Sequence, residues 1–180
     1  MNSKTQNASG LKFKLCQIGG SEWHNFTTHA DYLPVSYKSS TLKYKVEYFA
    51  KKYRRSSETT VAIISGDKIV GIWPLHISED STGLHLTTCG DNVIAPLFIS
   101  NLSPDQTKKI ARACIEYADK ICCENSIDLW NCHEYFLSRN DGVSVWHDEL
   151  MRAGANSSVS YVLYADLRLS EQEYKKRLIP

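Results

Sequence analysis

Apolar residues recur at helical spacing in the first third of the chain. A short stretch that begins at Ser21 places Trp23 and Phe26 on one face, and Ser21 is in position to cap it. A longer stretch over residues 41–53 carries a wider apolar stripe, made of Leu42, Val46, Phe49, Ala50 and Tyr53. Because residues three and four apart share one face of a helix, the pattern predicts two amphipathic helices.

A third helix has the clearest start signal in the sequence. Ser103 is placed to be the N-cap, Pro104 follows it, and Gln106 occupies the reciprocal capping position. The helix is expected to run for about 20 residues, or ~30 Å, which is enough to cross a sheet. Its apolar stripe consists of Ile110, Cys114, Tyr117, Ala118 and Ile121. A fourth helix is predicted over residues 145–153, with Gly154 just past its end.

Between the second and third helices the apolar period changes to two, which predicts β-strands. Strands over residues 60–65 and 68–77 flank Gly66 and Asp67, a two-residue loop typical of a hairpin. Pro74 predicts an edge, a bulge or an early end to pairing in the second of these strands. Further strands or extended segments are predicted over residues 84–89, 93–99, 127–132 and 160–166.

The last predicted element is a helix that starts at Ser170, with Glu173 completing a capping box. It reaches Pro180 after about three turns at most, and an isolated helix that short is marginal in water. The sequence thus predicts a polar tail and lead-in over residues 1–20. A single lobe is predicted over 21–180, ending in an incomplete helix. The fold class is mixed α/β, with helices on the faces of a sheet.

Composition narrows the classes of partner. The 21 Lys and Arg residues are balanced by 20 Asp and Glu residues, so no basic field predicts nucleic acid as the main partner. No apolar run approaches the ~18 residues that span a bilayer, and no export signal is recognisable. We therefore expect a cytoplasmic protein with no membrane span, whose six cysteines are reduced thiols.

Metal and cofactor motifs are weak. Cys122 and Cys123 would project about 100° apart on a helix, so a zinc site with Cys132 and His133 is not predicted. Cys132 and His133 are neighbours at a predicted strand end, where successive side chains face opposite sides. We therefore interpret them as an ordinary strand end beside solvent and not as a nucleophile with its base. No glycine-rich phosphate loop is present, and no cofactor is expected to be bound by this chain alone. No catalytic residue is assigned.

Two segments supply candidate substrate-binding residues. Residues 89–92 interrupt the predicted sheet with a glycine followed by Asp91 and Asn92, an arrangement that is common beside sites. The alternative is a plain turn, since these are also turn-forming residues. Tyr37 and Lys38 lie in the loop between the first two helices and could face a cleft. The alternative for this loop is that its rings pack on the edge of the core.

The order of motifs resembles the FemAB-like acyltransferases of the GNAT-like superfamily. The similar segments are VAIISGDKIVGIWPL at residues 61–75, APLF at 95–98, LMRAGA at 150–155, YVLYADL at 161–167 and SEQEY at 170–174. The resemblance covers about residues 23–177, and its weight lies in the order and spacing of the motifs. It implies a GNAT-like lobe with a mixed, largely antiparallel sheet flanked by helices.

The resemblance also implies a function. Members of this family transfer an acyl or aminoacyl group to an amine of a sugar, a cell-wall precursor or a related metabolite. They use acyl-CoA or an aminoacyl donor, act in cell-envelope or polysaccharide biosynthesis, and hold substrate between two lobes. This chain corresponds to the first lobe, and the resemblance leaves open whether that lobe is active or inactive alone. The alternative is a non-catalytic binding module that dimerises through the face a second lobe would cover.

Overall fold

The computed structural model describes residues 5–6, 10–30, 32–133 and 144–158. Within them the chain forms short strands, four α-helices and a single turn of 3₁₀ helix at Val35–Tyr37. The strands are β1 (Thr5–Gln6), β2 (Leu11–Leu15), β3 (Arg55–Glu58), β4 (Val61–Ser65), β5 (Lys68–Trp73), β6 (His76–Asp80), β7 (Gly83–Thr87), β8 (Val93–Ile94), β9 (Leu97–Phe98) and β10 (Cys132–His133). The helices are α1 (Ser21–Thr28), α2 (Ser39–Phe49), α3 (Pro104–Glu124) and α4 (Val145–Arg152).

The main sheet has five strands in the order β1-β2-β4-β5-β9, and all of its pairs are antiparallel. Its centre is the predicted hairpin of β4 and β5, which is confirmed, and Gly66 adopts the positive φ of 60° that its tight loop needs. Strand β2 pairs with β4 although its residues belong to the segment expected to be a lead-in. Leu11 and Phe13 alternate with lysines along β2 and point into the core.

Two smaller sheets complete the fold. Strands β3, β6 and β7 form an antiparallel sheet, and β8 pairs with β10 in parallel across the connection made by α3. Pro74 does end the pairing of β5 early, because β5 stops at Trp73 and β6 begins at His76. The mixed α/β fold class, with antiparallel sheets flanked by helices, is as predicted.

One predicted strand is much shorter than expected. Of residues 127–132, only Cys132 joins a strand, together with His133. The reason lies at the end of α3, where the Ile127 N–H donates to the Cys122 carbonyl at 2.8 Å and draws the chain back onto the helix. Asn131 then offers its carbonyl to the Val93 N–H at 2.9 Å, which starts the parallel pairing.

Helix α3 forms one wall of the larger core. Its predicted capping box is confirmed: Ser103 accepts from the Gln106 N–H at 3.2 Å, and the Gln106 side chain accepts from the Ser103 N–H at 2.9 Å. Its stripe is buried, apart from Tyr117, which stacks on Phe13 at 4.3 Å. Helix α4 ends as predicted, with Gly154 at a φ of 93°.

The other two helices differ from prediction in detail. Helix α1 is preceded by Gly20 as N-cap, and the Ser21 hydroxyl donates to Glu22 at 2.8 Å instead of capping. Helix α2 runs over Ser39–Phe49, so it starts earlier and ends earlier than the stripe suggests. The strand predicted over 160–166 and the helix predicted from 170 to 180 lie outside the described residues.

Among the described residues, no helix combines the length and apolar character that crossing a membrane requires.

Candidate functional site

The predicted interruption after β7 is a tight turn with two residues at positive φ. Thr88 and Asp91 exchange backbone hydrogen bonds of 2.9 and 3.1 Å, with Cys89 and Gly90 between them. Cys89 has φ 54° and Gly90 has φ 91°, the combination that marks a type I′ turn. A side chain at positive φ is uncommon and costs energy, so Cys89 is held there by its surroundings. We refer to residues 88–91 as the Cys89–Gly90 turn.

Neighbouring elements hold this turn in place. The Thr88 hydroxyl donates to the Pro74 carbonyl at 2.9 Å, and the Tyr53 hydroxyl donates to the Gly90 carbonyl at 3.0 Å. Phe49 packs so closely on Gly90 that a Cβ built there would lie 2.5 Å from the Phe49 Cβ. Only glycine fits at this contact, so the sequence of the turn and the end of α2 depend on one another.

Asp91 is the one charged residue of the Cys89–Gly90 turn. Its Oδ2 accepts from the Lys45 ammonium at 2.9 Å, and its Oδ1 accepts from the Asn92 N–H at 2.8 Å. Burial acts to raise the pKa of Asp91, but these two hydrogen bonds and the charges of Lys45 and His133 more than offset it, so the pKa is lowered. The carboxylate is ionised at neutral pH, and 41% of the side chain stays exposed.

The structure brings together only some of the predicted site residues. Asn92 is exposed and lies beside Asp91. Tyr37 is buried and donates its hydroxyl to the Ala95 carbonyl, so it packs under the segment that follows the turn. The Lys38 side chain is exposed, and its backbone joins the 3₁₀ turn to α2. Within the described residues, no polar contact links Lys38 to the Cys89–Gly90 turn.

His133 contributes to the site, although the sequence indicated it only as part of a disfavoured zinc site and as the end of a strand. Strand β10 places it in register with Ile94 of β8, and its charge helps to lower the pKa of Asp91. His133 was set aside in the sequence because it was considered together with Cys132, and neighbours on a strand face opposite sides. The signal that could have found His133 is the pairing of two short strands on either side of a long helix, a long-range feature. Glu134 lies outside the described residues.

A buried thiol–imidazole pair lies behind the turn. Cys89 Sγ is 3.8 Å from His76 Nδ1, and Glu58 stands opposite His76 in the β3–β6 ladder. Burial, with a contribution from Glu58, raises the pKa of Cys89 to about 12. Burial also lowers the pKa of His76, although Glu58 acts against it. Both groups are therefore neutral near pH 7, and a thiolate nucleophile is not present in this arrangement.

A cavity of about 220 Å³ opens between α2 and the turn. We refer to it as the α2–turn cavity. Its walls are Val46, Phe49, Ala50, Tyr53, Arg54, Arg55, Ser56, Cys89 and Gly90. Apolar groups from α2 form one side, and the two arginines and Ser56 form another. The cavity and the exposed edge of Asp91 thus lie on two sides of the same turn.

Metal ligands are not gathered in this region. In the part of the chain that the structure describes, no three His, Cys, Asp or Glu side chains are grouped so that they could hold a metal ion.

Comparison with known proteins does not assign the chain to a family. No protein-family model, no curated protein and no solved structure matches this chain. The FemAB-like resemblance therefore remains a hypothesis that depends on the motifs themselves.

Proposed function

We propose that this chain is an N-acyltransferase-like lobe that holds a small amine acceptor for transfer of an acyl or aminoacyl group. The observation that carries the proposal is the ionised, partly exposed carboxylate of Asp91, whose pKa is lowered in part by His133, a residue paired with the strand that follows the turn. A carboxylate attracts the ammonium group of an acceptor, and an imidazole is the side chain that most often accepts a proton in catalysis.

The chemistry requires both groups. An amine attacks an acyl carbonyl only after it loses a proton, because the ammonium form has no free electron pair. In the proposal, Asp91 holds the ammonium group and His133 accepts its proton. The nitrogen electron pair then forms the bond to the acyl carbon, the bond from that carbon to the donor's leaving group breaks, and the second surplus proton of the nitrogen passes to the departing thiolate or alkoxide. The donor is an acyl-CoA or an aminoacyl donor.

The proposal also includes a cytoplasmic location for the protein.

The fold and the motifs support this proposal without identifying the reaction. The two larger sheets are antiparallel, a separate pair of strands is parallel, and helices flank them, which agrees with the mixed α/β class that the resemblance implies. The Pro-Leu end of the hairpin motif supports the turn, since the Pro74 carbonyl accepts from Thr88. The second motif, residues 95–98, follows strand β8 shortly after the turn and includes strand β9.

The test is binding of glucosamine, with glucose as the matched ligand that lacks the amine. We expect glucosamine to bind the protein and glucose not to bind, as measured by calorimetry at low salt. Asp91→Asn should weaken glucosamine binding at least about tenfold, the loss expected for a charge-assisted hydrogen bond worth ~1.5–3 kcal/mol. Asp67→Asn is the control, because Asp67 is an exposed carboxylate in the other two-residue loop.

Two outcomes would contradict the proposal. Equal binding of glucose would show that the amine is not recognised, and unchanged binding by Asp91→Asn would remove the turn from the site. The role of His133 has a separate readout. Transfer of acetyl from a thioester donor to glucosamine should slow about a hundredfold in His133→Asn, the low end of what a general base contributes, while glucosamine binding is retained. His24→Asn, which changes an exposed histidine on α1, should leave the rate of transfer unchanged.

A second candidate function is a non-catalytic module that dimerises. The observation that favours it is an exposed aromatic pair on α2, where Tyr44 and Tyr48 are 63% and 64% exposed and their rings stack at 6.0 Å. Exposed apolar groups of this kind mark interaction surfaces. Light scattering should then report a dimer, and Tyr48→Glu should convert it to a monomer. A monomeric parent protein would exclude this function.

A further inference from the structure

The α2–turn cavity joins an apolar wall to a pair of cations. Val46 and Phe49 line it from α2 and Ala50 from the C-cap of that helix, and Tyr53, which also lines the cavity, donates a hydrogen bond to the Gly90 carbonyl. Arg54 and Arg55 follow Tyr53 directly in the chain and also line the cavity. The cavity is therefore lined by the apolar face of a helix and by the two arginines that follow shortly after it in the chain.

The two arginines lack acidic partners. Within the described residues, no carboxylate lies within 4.0 Å of Arg54 or Arg55, although Glu79 stands opposite Arg55 in the β3–β6 ladder. Arg112 and Arg152 behave differently, because both reach the buried carboxylate of Glu149. A guanidinium group is always charged and binds carboxylate or phosphate through two parallel hydrogen bonds. The charge at the cavity is therefore available to a ligand.

The size of the cavity limits the ligand. Its volume of about 220 Å³ corresponds to roughly seven water molecules at ~30 Å³ each. A short hydrocarbon chain fits this space and gains free energy by leaving water for the apolar wall. The Cys89–Gly90 turn forms the other side, where Gly90 and Phe49 are in close contact. Such a site is concave, mostly apolar and polar at a few points, as small-molecule sites are.

We infer that the α2–turn cavity binds a small amphipathic anion, with its short apolar chain against α2 and its carboxylate or phosphate group on Arg54 and Arg55. The inference does not depend on acyl transfer, because neither Asp91 nor His133 lines the cavity. The two acid groups share the same chemistry toward arginine, so the experiment must distinguish them.

The experiment uses four probes on the full chain: hexanoate, hexyl phosphate, hexanol and inorganic phosphate. We expect at least one of the two amphipathic anions to bind about tenfold or more tightly than either hexanol or inorganic phosphate, as measured by calorimetry. The stronger of the two anions identifies the acid group. Chemical-shift changes of amides in residues 46–56 should accompany binding.

Variants separate this site from general attraction to charge. The double variant Arg54→Gln, Arg55→Gln should weaken anion binding about tenfold or more, because it removes both guanidinium groups. Lys68→Gln is the control, since Lys68 is exposed on the hairpin away from the cavity and its loss also lowers the net charge. Ala50→Leu should weaken binding of all chain-bearing probes by filling the cavity. Urea unfolding of each variant verifies that it is folded.

Three results would overturn the inference. Hexanol could bind as tightly as both anions, which would leave no role for the arginines. The double arginine variant could bind like the parent protein, which would place the anion elsewhere. Lys68→Gln could lose as much affinity as the double variant, which would reduce the effect to net charge.

Discussion

Helices α2 and α3 carry apolar stripes of the same kind and meet different surroundings. In α3, Ile110, Cys114, Ala118 and Ile121 are all buried against the sheets. In α2, only Leu42 is fully buried, and Val46, four residues later, is 37% exposed. Periodicity thus predicts which face of a helix is apolar, and it does not predict what covers that face. Where the stripe of α2 leaves the core, it lines the α2–turn cavity.

The two stripes differ in burial because the two helices pack against different parts of the fold. Helix α3 lies against the larger core, which also contains Trp73 and Trp146. The end of α2 instead meets a tight turn through the contact between Phe49 and Gly90, and Leu42 and Cys89 belong to a second, smaller core. The apolar side chains at the end of α2 therefore pack against neighbours on one side and face the cavity on the other. This openness makes the region suitable for a ligand and of limited value for stability.

The largest test of this contrast compares one stripe residue from each helix. Ile110→Ala should lower the free energy of unfolding by about 2–5 kcal/mol, because it leaves a cavity in a close-packed core. Val46→Ala should change it by less than ~0.5 kcal/mol, since the side chain is already partly in water. Urea unfolding measures both. Similar losses in the two variants would show that the stripe of α2 is buried as deeply as that of α3.

The second test compares two glycines with positive φ. Gly66→Ala should cost about 1–2 kcal/mol for the backbone alone, because nothing lies within 4 Å of its added Cβ. Gly90→Ala should cost about 1–3 kcal/mol more, since the methyl group collides with Phe49. Thermal unfolding distinguishes them. Equal losses would mean that the turn and α2 move apart freely.

The third test uses pH, and here the two regions should behave alike. Burial raises the pKa of Cys89 to about 12 and that of Cys114 well above its ordinary value. An unfolded thiol ionises near pH 8.5. Above that pH the unfolded chain binds fewer protons than the folded one, so the free energy of unfolding falls by about 1.4 kcal/mol per pH unit for each buried thiol, until the pH reaches the folded pKa.

Two variants verify that assignment by urea unfolding between about pH 8 and pH 10. Cys114→Ala should make the decline in stability shallower by the share of one thiol. Cys123→Ala should leave the slope unchanged, because Cys123 is exposed. A slope that is the same in Cys114→Ala and in the parent protein would contradict the account.

The smallest test compares the starts of the two helices. Ser103→Ala removes the side-chain cap of α3 and should cost about 1 kcal/mol. Helix α2 has Lys38 at its N-cap and no side-chain hydrogen bond there, so Lys38→Asn should stabilise the protein by ~0.5–1 kcal/mol. Thermal unfolding measures both changes. If Lys38→Asn also reduced glucosamine binding, Lys38 would belong to the site despite its position.

Local signals in the sequence account for much of the fold. The capping box at Ser103 and the hairpin loop at Gly66 each depend on residues within a few positions, and both are confirmed. Strand β2 was missed because alternation over only five residues, beside a polar tail, gives little signal. The strand expected over 127–132 shrinks to its end because the C-terminus of α3 holds Ile127 by a backbone hydrogen bond.

The candidate site was less predictable, because it is built from distant parts of the chain. Asp91 and Asn92 were identified from the break in the β pattern, and the turn that they belong to is present. Of the two alternatives for Tyr37, a ring that faces a cleft or a ring that packs on the core, the structure agrees with the second, because Tyr37 is buried and donates to the Ala95 carbonyl. His133, Lys45 and the arginines reach the turn only through tertiary packing, which no local pattern in the sequence indicates.

The central claim is that small molecules bind at the Cys89–Gly90 turn and in the α2–turn cavity beside it. The most direct measurement is mapping of backbone amide shifts during titration with glucosamine and, separately, with hexanoate. The account predicts that the largest changes fall within residues 45–56 and 88–94 and that amides of α3 stay unchanged. Changes centred on α3, or no saturable change with either compound, would contradict it.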